Sequence, residues 1–187
     1  MSKIIAIMLL LCCGMMLFGC ADDNGRRKAE QQKTIVVTDS VGRKVELPYP
    51  LERVAVCNVY NAELITAVGA IDKIVGVDNY IFKDQSGFKN RFNEAQVFGI
   101  SQNAMNYEKL AELAPQAVII TGEGTWRDAQ EMLDRFGIKV IVINSYYTDQ
   151  FADNCRLIGR IFGREEQAEE LVNYFNDKPV SYTHLTL

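Results

Sequence analysis

Asparagine, tyrosine and tryptophan gather in four short stretches of this chain, each directly after an apolar run. These are Asn58-Val59-Tyr60-Asn61, Asp78-Asn79-Tyr80, Thr121-Gly122-Glu123-Gly124-Thr125-Trp126 and Asn144-Ser145-Tyr146-Tyr147. They hold four of the eight tyrosines and the one tryptophan. Aromatic faces with amide and hydroxyl tips suit a large, partly apolar ligand that takes hydrogen bonds. Each of these residue types is also common in loops for purely structural reasons, so the case rests on the set. Catalysis has no comparable support. The one histidine, His184, lies near the C-terminus, no nucleophile–base pair can be assembled, and no carboxylate pair has convincing spacing. Gly122-Glu123-Gly124 lacks the spacing and ending of a phosphate loop, and Glu123 would repel phosphate. No metal or cofactor site is expected, and the chain is expected not to be an enzyme.

The elements that must carry these stretches follow from the apolar pattern. Val54-Ala55-Val56-Cys57, Ile74-Val75-Gly76-Val77, Ala117-Val118-Ile119-Ile120 and Val140-Ile141-Val142-Ile143 are continuous rather than alternating. Strands buried on both faces of a parallel sheet read this way. Helical stripes separate or follow them: Ala129, Met132, Leu133 and Phe136; Phe151, Cys155, Ile158 and Phe162; Ala168, Leu171, Val172 and Phe175. Alternating strand and helix predicts an α/β lobe of βαβ units with right-handed crossovers and a mostly parallel sheet flanked by helices. Open parallel sheets bind ligands beyond the carboxyl ends of their strands, where the four stretches fall. Ahead of the lobe, residues 34–39 and 44–47 flank Val41-Gly42-Arg43 as a β-hairpin, with Pro48 and Pro50 ending the pairing.

A formal charge of −4, a sequence pI near 5.1 and the lack of a basic stripe argue against nucleic acid as a partner. The N-terminal segment has one early cation, Lys3, then an apolar run to Phe18, then Gly19-Cys20. This is the layout of a secretory signal. The run is shorter than the ~20 residues of a membrane-spanning helix. Leu17-Phe18-Gly19-Cys20 resembles the lipobox of bacterial lipoproteins. That resemblance implies a signal over residues 1–19, lipid on Cys20, a flexible polar tether over residues 20–33 and work outside the cytoplasm at a membrane. Cys57 and Cys155 then remain, either as one disulfide or as two buried thiols.

Beyond the lipobox, an ordered set of segments resembles the substrate-binding proteins of iron-siderophore, haem and vitamin-B12 ABC importers. The set begins with residues 38–48 and Arg53-Val54-Ala55-Val56. It continues through residues 62–70 with Lys73-Ile74-Val75-Gly76-Val77, then Met105-Asn106-Tyr107-Glu108-Lys109-Leu110 with Leu113-Ala114-Pro115. Phe136-Gly137-Ile138-Lys139-Val140, Leu157-Ile158-Gly159 and Phe162-Gly163-Arg164-Glu165 complete it. The match runs over most of residues 34–176.

The resemblance implies two α/β lobes joined by a long helix, with ligand between them. It implies that residues 34–162 form the first lobe and residues 163–178 begin the interlobe helix, with the second lobe missing. An ABC permease with its ATPase is the implied partner, the cargo an iron chelate and the binding protein a monomer. Glu108 falls where the family pairs a surface glutamate with permease arginines; an acid in the first turn after Asn106 also suits a helix dipole. Gln102 and Thr121 stand where cobalamin binders have aromatics, and Ser101 and Gln102 where haem binders often place a ligand. An iron-siderophore complex is therefore the expected cargo, bound by Asn58, Tyr60, Asn61, Tyr80, Gln102, Gly122, Glu123, Thr125, Trp126 and Tyr146. The alternatives are haem or cobalamin in the same family, or a secreted α/β enzyme or sensor lobe whose active half is missing. Residues 179–187 resemble a translated sequencing adaptor and are expected to be non-native.

Overall fold

The computed structural model describes residues 33–177. The expectations for the signal segment, for Cys20 and most of the tether, and for the C-terminal tail lie outside the described residues.

The described residues begin with an antiparallel hairpin, β1 (Thr34–Thr38) and β2 (Lys44–Pro48), with Thr34 opposite Pro48 and Thr38 opposite Lys44. Pro48 is the last residue of β2 rather than a break before it. It sits at a strand end, where the missing N–H costs little. Asp39 holds the turn through one carboxylate oxygen, which accepts from the N–H groups of Val41 at 3.2 Å and Arg43 at 2.9 Å.

Four parallel strands follow: β3 (Val54–Val56), β4 (Ile74–Val77), β5 (Ala117–Ile120) and β6 (Lys139–Val142). Their order across the sheet is β4-β3-β5-β6. Helix α1 (Val59–Ala67) links β3 to β4, and α4 (Trp126–Asp134) links β5 to β6. The connection from β4 to β5 contains α2 (Asn79–Lys83) and α3 (Tyr107–Leu113), while α5 (Phe151–Phe162) and α6 (Glu165–Asp177) follow β6. The α/β class and the hairpin expected from the sequence are those observed.

Both sheet faces are buried, which explains the unbroken apolar runs. Val54, Val56, Ile119 and Ile141 join residues of α1, α5 and α6 in one core cluster. Ala55, Val118, Ile120, Val140 and Val142 face the other way, against Leu110 of α3 and Ala129 and Leu133 of α4. Each Val, Leu or Ile so buried contributes roughly 1.5–3 kcal/mol, so the double-sided core dominates the stability of the lobe.

Two stripe positions depart from expectation. Phe136 is 48% exposed because α4 ends at Asp134, and Ile138 fills the core position instead. In α6, Ala168 and Val172 are buried in the lobe's own core. The ring of Phe175 is 46% exposed but stacks on Phe151 at 4.3 Å. Helix α6 crosses close to α5 because Gly159 has no side chain; a Cβ there would lie 2.5 Å from that of Ala168. Cys57 and Cys155 are both buried free thiols.

Candidate functional site

The parallel strands end at one edge, and a cleft of about 400 Å³ opens there. Its wall begins with Asn58, which caps α1 by accepting from the N–H of Tyr60 at 2.9 Å. Asn58 has φ 77, a conformation that costs a non-glycine residue on the order of 1–3 kcal/mol. Asp78 holds it there: one carboxylate oxygen accepts from the Asn58 N–H at 3.1 Å, and the other caps α2 through the Ile81 N–H at 3.0 Å. Asp78 is 2% exposed. Burial raises its carboxyl above the ordinary carboxylate range, and the backbone N–H groups partly counter that rise. The two strand ends are thus tied through one buried acid.

On the opposite side the cleft is built by Gln102 and the loop after β5. The Gln102 oxygen accepts from both the N–H and the hydroxyl of Thr121, and its amide nitrogen donates to the Glu123 carbonyl. Gly124, at φ 88, lets this loop pass close to the loop before α3; a Cβ on it would lie 2.3 Å from Asn103 Oδ1. Glu123 accepts a hydrogen bond from the Tyr146 hydroxyl at 3.0 Å. Burial, and hydrogen bonds to Tyr147 and Glu123, push the Tyr146 phenol far above its usual value, so it remains a donor.

Of the residues selected from the sequence, the structure brings Asn58, Tyr60, Tyr80, Gln102 and Glu123 together on the cleft wall. Tyr60 and Tyr80 are open to it, at 55% and 62% exposure. Five others lie off the wall. Asn61 is fully buried on the inner face of α1, where its amide donates to the Cys57 carbonyl at 3.2 Å. Gly122 sits under Asn144, to whose side-chain oxygen it donates at 2.7 Å. Thr125 is the N-cap residue ahead of α4, its hydroxyl 3.5 Å from Asn103 Oδ1. Tyr146 reaches the cleft only through Glu123.

Trp126 departs furthest. It is 9% exposed and belongs to the core cluster of α4 with Ala129 and Leu133. The guanidinium carbons of Arg43 and Arg127 each lie 4.2 Å from its ring centroid. Arg43 also pairs with Asp39 at 2.6 Å and bonds Gln130 and the Val140 carbonyl. The tryptophan therefore fastens the hairpin turn to β6 and α4. Positions 126, 129 and 133 form an inner-face stripe that a helix begun three residues earlier would have revealed.

Sequence reasoning did not select Asn103 or Asp78, which also line the cleft. Asp78 had a visible signal as a cap-forming residue directly after a buried strand. Glu108 stands exposed in the first turn of α3, capped by Asn106, and makes no ion pair with any described residue. Among the described residues, no three His, Cys, Asp or Glu side chains come together as a metal-binding group.

A parallel sheet with an amide- and tyrosine-lined cleft at its strand ends fits the comparisons with known proteins. No curated protein sequence matches the chain. Among solved structures, a periplasmic solute binding protein from Veillonella parvula superposes with a TM-score of 0.63 at 26% identity, over 78% of this chain and 46% of that one. The petrobactin-binding protein YclQ from Bacillus subtilis gives 0.63 at 17% identity, over 77% of this chain and 50% of that one. SirA of Staphylococcus aureus, complexed with staphyloferrin B, gives 0.62 at 19% identity, over 77% and 47%. The chain spans about half the length of these structures. The first two are described as binding proteins, and the third was solved with staphyloferrin B bound. Residues 54–181 match the family model described as periplasmic binding protein, and the chain belongs to that family, whose place of work is outside the cytoplasm.

Proposed function

We propose that this chain is the first lobe of a lipid-anchored substrate-binding protein of an ABC importer, and that its cleft receives an iron chelate. The single observation that carries this reading is the cleft itself. Asn58, Tyr80, Gln102 and Glu123 come from four separate segments and converge at the carboxyl edge of a parallel sheet. Such an edge is where open α/β sheets take ligands. Phenol and amide groups can hydrogen-bond the oxygen-rich shell of a chelate while aromatic faces cover its apolar parts. YclQ and SirA, whose folds match, are described with petrobactin and with staphyloferrin B. Residues 34–162 act as the lobe, residues 163–178 as the start of the interlobe helix, Cys20 as the lipid attachment and Glu108 as a contact to the permease.

The test is equilibrium dialysis of the chain against radioactive ferric chelates, beside a Tyr80→Ala variant. Tyr80 is exposed, so its removal leaves the core intact. Retention of a chelate that falls several-fold in the variant supports the reading. Equal retention by both proteins would place the ligand elsewhere.

A further inference from the structure

The cleft offers an incoming ligand no positive charge. Its lining contains two acids, Asp78 and Glu123, and no Lys, Arg or His. Asp78 is buried and commits both oxygens to backbone N–H groups. Glu123 is different. It is exposed, one oxygen accepts from Tyr146, and the other has no partner among the described residues.

The remaining polar groups on the wall are phenols, amides and hydroxyls, all neutral. Lys83, three residues after Tyr80 in α2, is exposed but is not part of the lining, and three other cations are engaged elsewhere. Arg43 is held by Asp39 and the face of Trp126, Arg127 lies over the same ring, and Lys109 pairs with Glu112 at 3.1 Å. Charge of one sign in a cleft with low-dielectric walls is felt more strongly than on open surface. A polyanionic chelate entering here would meet an uncompensated carboxylate. A pendant ammonium would meet a free carboxylate oxygen, with the other oxygen steadied by a phenol.

We infer that the cleft selects a ferric chelate that is neutral or cationic on the face turned toward this lobe, with Glu123 setting the sign. The inference rests on the iron-chelate reading of the cleft. It deepens that reading by disfavouring chelates that turn carboxylate or catecholate oxygens toward Glu123.

The test uses one chelate core in three charge states. Gallium(III) complexes of desferrioxamine B are diamagnetic counterparts of the ferric complex. The parent carries an ammonium, its N-acetyl form is neutral, and its N-succinyl form carries a carboxylate. Each is titrated into the full chain in nonionic detergent at low ionic strength, following the backbone amide resonances of Asn58, Gln102, Glu123 and Gly124. The ammonium form should bind tightest and the succinyl form weakest, about tenfold or more apart, with the gap closing as salt rises. Glu123→Gln keeps an acceptor for Tyr146 but removes the charge, and should bring the three forms within about threefold of one another. Equal or tighter binding of the succinyl form, or an unchanged ranking in Glu123→Gln, would overturn the inference while leaving the chelate reading intact. No shift with any of the three would overturn both.

Discussion

The side-chain oxygen of Gln102 accepts two hydrogen bonds from Thr121, one from the backbone N–H at 3.0 Å and one from the hydroxyl at 2.8 Å. Its amide nitrogen donates to the carbonyl of Glu123. Gln102 lines the cleft, yet it fixes one loop against another. Thr121 is 5% exposed, so Gln102→Ala would leave two donors poorly satisfied. A buried unsatisfied donor costs about 1–3 kcal/mol, and we expect a loss in that range by denaturant unfolding, with weaker chelate binding. Gln102→Glu retains both acceptor bonds but sets a charged oxygen against the Glu123 carbonyl in place of the donor, so it should not restore the loss. No measurable loss in Gln102→Ala would show that water replaces the side chain without cost.

Trp126 fluorescence should report folding, not ligand. The ring is 9% exposed, has two guanidinium carbons 4.2 Å from its centroid and is off the cleft wall. Saturating chelate should leave its emission maximum unchanged, apart from direct quenching by iron, which a gallium complex avoids. Trp126→Ala should cost about 3–5 kcal/mol of stability and leave the affinity of the folded fraction unaltered. A shift of the emission maximum on adding a gallium chelate would place the ring in the site.

The contrast between Tyr80 and Trp126 shows how much could be read from sequence. Both follow a buried strand by a few residues, and strand ends are legible because continuous apolar runs have clear limits. Which way each side chain then turns depends on where the next helix begins. Tyr80 lies inside α2, whose short turn leaves it outward; Trp126 begins α4 and falls on the inner face. Asn61 shows the same effect one helical position from the exposed Tyr60. The sheet, the hairpin and the edge were legible because they depend on runs. The wall was only partly legible because it depends on helix phase, which shifts by about 100° per residue.

The two thiols should make stability pH-dependent in alkali. Burial pushes Cys155 from its ordinary 9.0 up to about 11, with the charge of Glu169 adding to the rise. Burial raises Cys57 well above 9.0, and the charge of Asp78 adds to it. Once the unfolded thiols ionise, the folded protein still holds their protons. The folded state then binds more protons, so stability must fall as pH rises. The contribution is complete below 9.0 and lost through about 11 for Cys155. Denaturation midpoints measured across that window should decline, and Cys155→Ala should flatten the decline whatever its cost at neutral pH. An identical slope in the variant would mean that other groups carry the effect.

Glu108 should matter to transport and not to the lobe. It is exposed and unpaired among the described residues, at the start of a seven-residue helix. Glu108→Gln should change stability by no more than about 0.5 kcal/mol, as is usual for exposed sites. Chelate affinity should stay the same. Uptake in cells with the cognate permease should fall, as the proposed charge-charge contact requires. Unchanged uptake would leave Glu108 with only its role at the helix dipole.

On the proposed function, ligand enters at the strand-end edge, between Asn58 and Glu123. Backbone hydrogen exchange of the chain with and without a saturating ferric or gallium tris-hydroxamate tests it most directly. Added protection is expected at residues 58–60, 78–81, 101–103 and 121–124, with the hairpin turn at residues 39–43 and the stripe of α4 unchanged. Protection centred on that hairpin and α4, with none at the strand ends, would contradict it.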